Sequence, residues 1–485
     1  MIFANNLRKN YGTLEVINDT TLKLPKKGMV AFLGESGSGK TTLVNVLGGL
    51  DSYKSGSISY DDTKFLKYQM DKVDTYRRNH FGYIFQNYNI LEDKTVSENL
   101  LLALHIIGIY DELQSSDQYG SKFMTLMEVR GDNVKNDNSG ASGGITYQIE
   151  VFTETPANSN LSGAWLSLYK TIYRCNLVLQ NMEKVQMTEE QRTQIAGQAS
   201  FVRALCYFNL VRLWGEVPII TKTQTVAEAR NNKRSPVSEV YDLIIKDLIV
   251  AKGLPEVWDE SERGRATSYA ARALLAKVYL YMKNYQEVIN ELTSVVADIN
   301  AKRNLSLVPM PQTFPNNLKT SKDIIFAVQY LKGGVGESVH QNNRYRNNDN
   351  GNIISLEQAE FENNDDNRKA LVAPTGSGQR PGKFDAPATN NETSADFPVM
   401  RCAEVMLMYA EAANELSAIP TQEALDALNA VRINANLMGK TLEELSTKEI
   451  FRQAVYKERR LELALECDRW FDIVRTGQMT TVFPG

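Results

Sequence analysis

Histidine and cysteine are scarce in this chain of 485 residues, which has three histidines and four cysteines. The cysteines are too few and too scattered for a disulfide scaffold, and no spacing of cysteine and histidine fits a zinc site. A strong charge of either sign is also absent, because 54 Lys and Arg residues face 58 Asp and Glu residues. A net charge of −4 argues against a nucleic-acid binder held by bulk electrostatics, so we expect no nucleic-acid partner.

Long apolar runs are missing as well. The most apolar stretch, Leu100 to Ile109, is well short of the roughly 20 residues that span a bilayer. The residues Met1 to Val16 have no basic region followed by an apolar region, so they predict no secretory signal. If expressed as written, the chain is therefore expected to be cytoplasmic.

The sequence pattern changes near Tyr110. Before it, short apolar segments such as Met1–Leu7 and Leu22–Leu24 predict strands separated by turns. After it, long helical periodicity rich in Ala, Leu and Tyr dominates. This change predicts two domains, residues 1–109 and residues 110–485, with the first α/β and the second mainly α.

A glycine-rich motif lies in the first segment, where Gly34-Glu-Ser-Gly-Ser-Gly-Lys-Thr fits the phosphate-loop pattern G-x-x-x-x-G-K-[ST]. The apolar run Met29–Leu33 before it predicts a strand, and the run Thr41–Leu47 after it predicts a helix. The glycines would let backbone N–H groups converge on phosphate oxygens, while Lys40 reaches the terminal phosphates and Thr41 ligates Mg²⁺. The alternative, a chance glycine-rich turn, is disfavoured by this order of strand, loop and helix.

Further residues of the first segment resemble the ATP-binding subunit of ABC transporters, closest to exporters of the macrolide or lipoprotein-release type. Tyr11 is similar to the aromatic that stacks on adenine, and Phe85-Gln86-Asn87 is similar to the Q-loop. The resemblance implies ATP and Mg²⁺ as ligands, with the metal at Thr41 and Gln86. The predicted nucleotide-binding residues are Tyr11, Gly34, Ser36, Gly37, Gly39, Lys40, Thr41, Thr42 and Gln86.

The resemblance to ABC transporters ends before the parts that hydrolyse ATP. The signature LSGGQ, the apolar strand ending in Asp-Glu and the switch His do not follow, and Ser139–Gly144 only superficially echoes the signature. Because phosphoryl transfer depends on positioning and charge neutralisation, this partial domain is expected not to hydrolyse ATP. A transport ATPase with a helical appendage is the rival interpretation of the whole chain.

The second segment has the stripes of paired helices. From Tyr269 to Ile299 apolar residues recur every three or four positions around a turn at Lys283-Asn284, which is typical of tetratricopeptide-like hairpins. The stretch Cys402–Leu416 has the same stripe, which continues after Pro420. Further single helices are predicted over Leu161–Val185, Glu189–Trp214 and Lys448–Val474.

At this point the second segment resembles the SusD/RagB family. Gln198–Pro218 (QASFVRALCYFNLVRLWGEVP) is similar to the family hallmark RAxxYFxLVRLWGDVPL, and the blocks Asp396–Arg401 and Arg469–Asp472 agree with it. The resemblance covers roughly Tyr110 to Gln478. It implies a non-catalytic outer-membrane lipoprotein that binds an oligosaccharide or peptide nutrient, needs no cofactor, and closes a TonB-dependent SusC-like channel.

Both ends depart from the family pattern. The lipoprotein signal and the acylated Cys are replaced by the ABC-like segment, and the end at Gly485 suggests a clipped closing segment. Because ABC ATPases are cytoplasmic and SusD-like proteins are exported, no single compartment suits both parts. The join is therefore interpreted either as a functional fusion or as a gene-assembly accident, and we favour the accident.

Two loops are candidates for ligand binding, because the family's ligand residues lie largely on loops of its irregular half. The first gives Arg130, Asp132 and Asn133, with the alternative that Arg130 and Asp132 form a structural pair. The second gives Arg344 and Tyr345, with the alternative of a polar surface loop.

No catalytic constellation is recognisable in the second segment, so it is not expected to be an enzyme. Glu404, Glu411 and Glu415 share one helical face, but structural hydrogen bonding is favoured over a pair of acid and base carboxylates. Trp470 lies in a family helix block and is expected in the core.

Overall fold

The structure is a computed structural model of the chain. It describes residues 2–11, 14–25, 30, 32, 39–49, 51–60, 63–65, 106–136, 140, 144–182, 185, 187–331, 339–340, 352–354, 356–373, 381–386 and 392–483. The described residues form two compact units, a small one that runs from Ile2 to Phe65 and a large one that runs from Ile106 to Phe483.

The described residues of the small unit form an antiparallel sheet and the helix α1 (Lys40–Leu47). Its strands pair in the order β2-β1-β3-β4, and they are β1 (Ile2–Tyr11), β2 (Leu14–Leu24), β3 (Ser55–Tyr60) and β4 (Thr63–Phe65). The strands predicted over Met1–Leu7 and Leu22–Leu24 are confirmed within β1 and β2. The strand predicted over Met29–Leu33 falls mostly outside the described residues, so the α/β arrangement around the phosphate loop stays a prediction.

Gly56 allows β1 and β3 to approach each other closely. Its φ is +101°, and a Cβ at this position would lie 2.4 Å from the backbone oxygen of Asn6. No residue with a side chain fits this contact without moving the backbone. The small core that results includes Ala4, Leu7 and Ile58.

The large unit is mainly helical, as predicted. Its helices are α2 (residues 106–113), α3 (Lys122–Glu128), α4 (Ile145–Glu150), α5 (Ser159–Met182), α6 (Glu189–Trp214), α7 (Val226–Ala229), α8 (Val237–Ala251), α9 (Ser268–Tyr281), α10 (Tyr285–Ala301), α11 (Met310–Thr313), α12 (Lys369–Val372), α13 (Cys402–Leu416), α14 (Gln422–Asn434), α15 (Lys448–Glu462), α16 (Arg469–Arg475) and α17 (Met479–Val482). Short antiparallel pairs join β5 (Val134–Asn136) to β8 (Asn352–Ile354), β6 (Ile324–Val328) to β10 (Phe397–Arg401), and β7 (Val339–His340) to β9 (Glu392–Thr393).

The predicted helical hairpins are confirmed. Helices α9 and α10 pack against each other around a turn in which Lys283 has a φ of +58°, and α13 and α14 form a second pair. Thr188 opens α6 with a capping box, because its side chain accepts from the backbone of Gln191 and the Gln191 side chain accepts in return. Fifteen residues of α6 are buried, so this helix lies in the middle of the core.

One predicted helix is wrong in its extent. The helix expected over Lys448–Val474 is broken into α15 and α16, because Leu465 and Cys467 have φ values of +67° and +68°. This turn directs Glu466 inward, where its carboxylate accepts hydrogen bonds from Arg401 and Lys383. Periodicity alone cannot reveal such a break, since the two residues with positive φ, Leu465 and Cys467, are apolar and buried.

Buried ion pairs connect the helices of the carboxy-terminal half. Arg401 is 1% exposed and donates to Asp323 (2.8 Å) and Glu466 (2.7 Å). Arg459 donates to Asp472 at 2.9 Å. Charged residues are rarely buried unless they are paired, so each of these buried arginines requires its carboxylate partners.

The four cysteines are buried and free, in agreement with the prediction of no disulfide scaffold. Among the helices that the structure describes, none has both the length and the apolar character that a membrane span requires.

Candidate functional site

The loop Arg130-Gly131-Asp132-Asn133, here named the 130-loop, connects α3 to β5. Gly131 lets it lie close to α16, because a Cβ at this position would be 3.3 Å from Cγ of Arg469. The loop is thus built against a helix from the other end of the large unit.

Ion pairs hold each side of the 130-loop. Asp132 accepts from Arg469 at 2.8 Å and lies 3.3 Å from Arg460, which also donates to Asn133 at 3.0 Å. Arg130 pairs with Glu154 instead of with Asp132. The loop is therefore fixed by α15, α16 and the segment after α4.

Beside the loop lies an aromatic patch formed by Phe152, Trp470 and Phe483. The ring centroids of Phe152 and Trp470 are 5.5 Å apart, and those of Phe152 and Phe483 are 6.1 Å apart. Phe152 is 47% exposed and has a φ of +55°, which is unusual for a bulky residue. The Arg130 guanidinium lies 5.9 Å from the Trp470 ring centroid, so the charged loop adjoins the patch.

Burial and ion pairing shift the pKa values of carboxyl groups in and near the 130-loop. Burial would raise the pKa of Asp132, but the hydrogen bond and charge of Arg469 outweigh it and lower that pKa. Burial raises the pKa of Glu150 to about 7, although the backbone of Asn136 opposes the shift. Arg130 Nε and Asn133 Nδ2 are buried and have no hydrogen-bond partner within the part of the chain that the structure describes.

The first candidate loop is thus a held, partly buried structure, and its role in ligand binding stays a prediction. Arg344 and Tyr345 of the second candidate loop lie outside the described residues. Sequence reasoning missed Phe152, and it assigned Trp470 to the core although this residue packs against the core while staying only partly buried. An apolar Val151-Phe152 pair directly after a short helix was the available signal.

The three glutamates of α13 are structural, as the sequence favoured. Glu411 accepts two hydrogen bonds from Arg475, Glu415 accepts two from Arg452, and Glu404 pairs with Lys277 at 2.8 Å. Among the described residues, no group of His, Cys, Asp and Glu has the arrangement of a metal site.

The described part of the predicted nucleotide site is small. Gly39 has a φ of +83° and caps α1, where a Cβ would lie 3.0 Å from the backbone oxygen of Val16. Lys40 opens α1, followed by Thr41 and Thr42, and Tyr11 ends β1. This glycine turn into a helix fits a phosphate group. Gly34, Ser36, Gly37 and Gln86 lie outside the described residues.

Comparison with known proteins bears on the large unit first. Residues 338–483 match the family model described as SusD family, and residues 85–280 match the model described as starch-binding associating with outer membrane. The larger part of this chain is similar to SusD family proteins. SusD-like protein P2 of Formosa agariphila is 28% identical over 79% of this chain and 84% of its own length.

Solved structures agree with this assignment. A protein of Bacteroides vulgatus described as sugar binding is 26% identical, with a TM-score of 0.66 over 80% of this chain and 88% of its own. A laminarin-binding SusD-like protein is 24% identical, with a TM-score of 0.64 over 79% of this chain and 92% of its own. The large unit, here named the SusD-like unit, therefore has the fold of these solved structures.

A short part of the chain is similar to ABC transporter ATP-binding proteins. The bacitracin export ATP-binding protein BceA of Halalkalibacterium halodurans is 40% identical over 110 residues, which are 22% of this chain and 44% of that protein. Residues 12–83 also match the family model of the dynein light intermediate chain. The matched segment of this chain covers less than half the length of BceA.

Proposed function

We propose that the SusD-like unit binds a glycan at the aromatic patch, with the 130-loop supplying charged hydrogen-bonding groups. The tilted ring pair of exposed Phe152 and partly exposed Trp470 carries the proposal. Sugars have apolar C–H faces and hydroxyl rims, so a binding site pairs aromatic faces with planar or charged groups. Arg130 and Asp132 are charged groups of this kind next to the patch, and the buried Asn133 supports their loop.

The rigidity of the site supports the same function. Arg460 and Arg469 bind the 130-loop from two helices, so a ligand would not have to order the loop on binding. The bulky Phe152 is held at a positive φ, a costly conformation that proteins concentrate at functional sites. A laminarin-binding SusD-like protein of the same fold makes a β-glucan the first ligand to test.

The biological setting is part of the proposal. The family resemblance implies an outer-membrane location, an oligosaccharide or peptide nutrient as ligand, and a SusC-like TonB-dependent channel as partner. A net charge of −4 fits a partner that is not a nucleic acid.

Calorimetric titration of the full chain with laminarin oligosaccharides and other polysaccharide fragments tests the proposal. Phe152→Ala should weaken binding about tenfold, because losing one aromatic contact costs about 1.4 kcal/mol. The matched control is Tyr173→Ala, which removes an aromatic side chain that is 49% exposed on α5. If Phe152→Ala and Tyr173→Ala bind every fragment as the unaltered chain does, the aromatic patch is not the site.

A second function is proposed for residues 1–109, because part of the chain is similar to BceA. We propose that residues 1–109 bind ATP without hydrolysing it, with Gly34, Ser36, Gly37, Gly39, Lys40, Thr41 and Thr42 around the phosphates, Tyr11 at the base, and Gln86 with Thr41 at Mg²⁺. The bound metal would neutralise phosphate charge. Titration with a fluorescent ATP analogue should give saturable binding that Lys40→Ala abolishes, and measurable ATP turnover would contradict the proposal.

The join itself needs a separate test. We propose that residues 1–109 and 110–485 come from two genes joined by accident, because the two resemblances imply different compartments. Independent DNA reads across codons 105–113 should break at the join. Continuous reads would support a functional fusion instead.

A further inference from the structure

Residues 221–236 of the SusD-like unit, here named the basic loop, precede α8 and include α7. The basic loop contains a single carboxylate, Glu228, and four cations, which are Lys222, Arg230, Lys233 and Arg234. It therefore has a net charge of +3 in a chain whose net charge is −4. No residue of the 130-loop or of the aromatic patch belongs to it.

The positive charge of the basic loop is not used inside the protein. All four cations are exposed, and none has an ion-pair partner among the residues that the structure describes. Hydrogen bonds from Thr225 lower the pKa of Glu228, and the charge of Lys222 adds to this effect. Glu216 and Glu239, the carboxylates that flank the basic loop in sequence, form no ion pair with its cations either.

Hydrogen bonds hold the two arms of the basic loop beside each other. The side chains of Gln224 and Asn232 donate to each other, at 3.1 Å and 2.8 Å. Below this amide pair, the backbone N–H of Ser235 donates to the carbonyl of Val217 at 3.0 Å. The cations at 222, 233 and 234 therefore stand on two adjacent arms, and a partner would not have to order the loop on binding.

Between the two arms lies an apolar turn of helix. Three of the four residues of α7 are Val or Ala, and none of the four is buried. Every residue from 225 to 231 is exposed, and Val226 at the start of α7 is 73% exposed. Exposed apolar residues flanked by Lys and Arg are typical of segments that lie at a membrane surface.

A single exposed turn is small for a protein partner, because stable protein interfaces bury about 800 Å² on each side. A lipid surface needs no matching shape, and anionic headgroups attract basic segments. We propose that the basic loop contacts an anionic phospholipid surface, with its cations at the headgroup phosphates and Val226 directed toward the acyl chains. The outer-membrane setting of this contact rests on the proposed function. Such a contact is weak, so it would orient a protein that another signal holds at the membrane.

Co-sedimentation of the full chain with lipid vesicles tests the inference. One set of vesicles contains phosphatidylcholine alone, and the other contains equal parts of phosphatidylcholine and phosphatidylglycerol. We expect the chain to bind the anionic vesicles at least about tenfold more tightly than the neutral ones, and to bind them less tightly as salt is raised.

Variants of the basic loop locate the contact. Lys233→Gln combined with Arg234→Gln should weaken binding to the anionic vesicles about 25-fold, because each cation near such a surface contributes about fivefold. Val226→Ser should weaken it less. The matched control, Lys246→Gln combined with Lys457→Gln, removes two other exposed lysines without an ion pair in the described part of the chain and should leave binding unchanged.

Three results would overturn the inference: equal binding to the two kinds of vesicle, equal loss in the loop variant and the control, or binding to dextran sulfate without binding to either vesicle. The last result would assign the basic loop to a polyanionic glycan instead. The loop variant should unfold at the same temperature as the unaltered chain, because its two cations form no ion pair. Failure of the glycan site is distinguishable, since Phe152→Ala should leave vesicle binding intact.

Discussion

Arg469 donates to both carboxylate oxygens of Asp132, from Nε and from Nη2, although 337 residues of sequence separate the two. This two-hydrogen-bond pair connects the 130-loop to the Arg-Trp-Phe-Asp block at 469–472. The Arg-Trp-Phe-Asp block therefore does more than build a core helix. It holds the 130-loop through Arg469 and supplies Trp470 to the aromatic patch.

Arg469→Lys should loosen the 130-loop while keeping the positive charge. A lysine is a point charge that cannot reproduce the two parallel hydrogen bonds of a guanidinium, so we expect a loss of about 1–2 kcal/mol in the free energy of unfolding. Urea denaturation measures it. The control Arg263→Lys alters an exposed pair with Glu260 and should change stability by less than about 0.5 kcal/mol. Equal effects of the two variants would contradict a special role of Arg469.

Glu128, the last residue of α3 before the 130-loop, should make stability depend on pH. Burial raises its pKa from 4.5 to about 8, while the hydrogen bond from the backbone of Cys467 opposes the shift. Between these pH values the folded chain holds a proton that the unfolded chain releases. The resulting stabilisation is complete below about pH 4.5 and is lost as the pH rises to about 8, by at most about 1.4 kcal/mol per pH unit.

The substitution Glu128→Gln isolates this contribution. Glutamine keeps an acceptor for the Cys467 N–H but carries no charge at any pH, so the fall in stability from pH 5 to pH 8 should become shallower. Denaturation midpoints across this pH range provide the measurement. Glu189→Gln, at a side chain that is 90% exposed, is the control and should keep the original slope. An unchanged slope in Glu128→Gln would show that the carboxyl is ionised throughout.

The sequence predicts the helices well because their signal is local. Apolar residues three and four positions apart define α9, α10 and α13 without reference to any other part of the chain. Ion pairs have no such local signal: the partners of Arg401 lie 78 and 65 residues away, at Asp323 and Glu466. The break between α15 and α16 depends on that pairing, so it was missed together with it.

The candidate site was predicted only in part for a related reason. Arg130, Asp132 and Asn133 were found through family resemblance, but the contacts of Asp132 and Asn133 come from α16 and α15, more than 300 residues later. Phe152 is exposed and has a positive φ, which sequence patterns do not predict for phenylalanine.

Arg401→Met should be strongly destabilising. The variant would leave Asp323 and Glu466 buried without their main cation, and breaking a buried ion pair from one side costs about 3–5 kcal/mol. Thermal and urea unfolding of the full chain measure the loss. Arg303→Met is the control, because that side chain is 65% exposed and its pair with Asp298 should contribute less than about 1 kcal/mol. A loss for Arg401→Met no larger than that of the control would show that this ionic core is dispensable.

Gly56→Ala tests whether the small unit has the described sheet. An alanine Cβ would lie 2.4 Å from the backbone oxygen of Asn6, and φ at this position is +101°, so we expect a loss of about 1–3 kcal/mol or more within this unit. Hydrogen exchange of the β1 and β3 amides is the readout, because it reports local opening. Ser59→Ala, in the same strand but at ordinary geometry, is the control. If β1 and β3 exchange equally slowly in both variants, the pairing of these strands around Gly56 is wrong, whereas faster exchange in Gly56→Ala alone supports it.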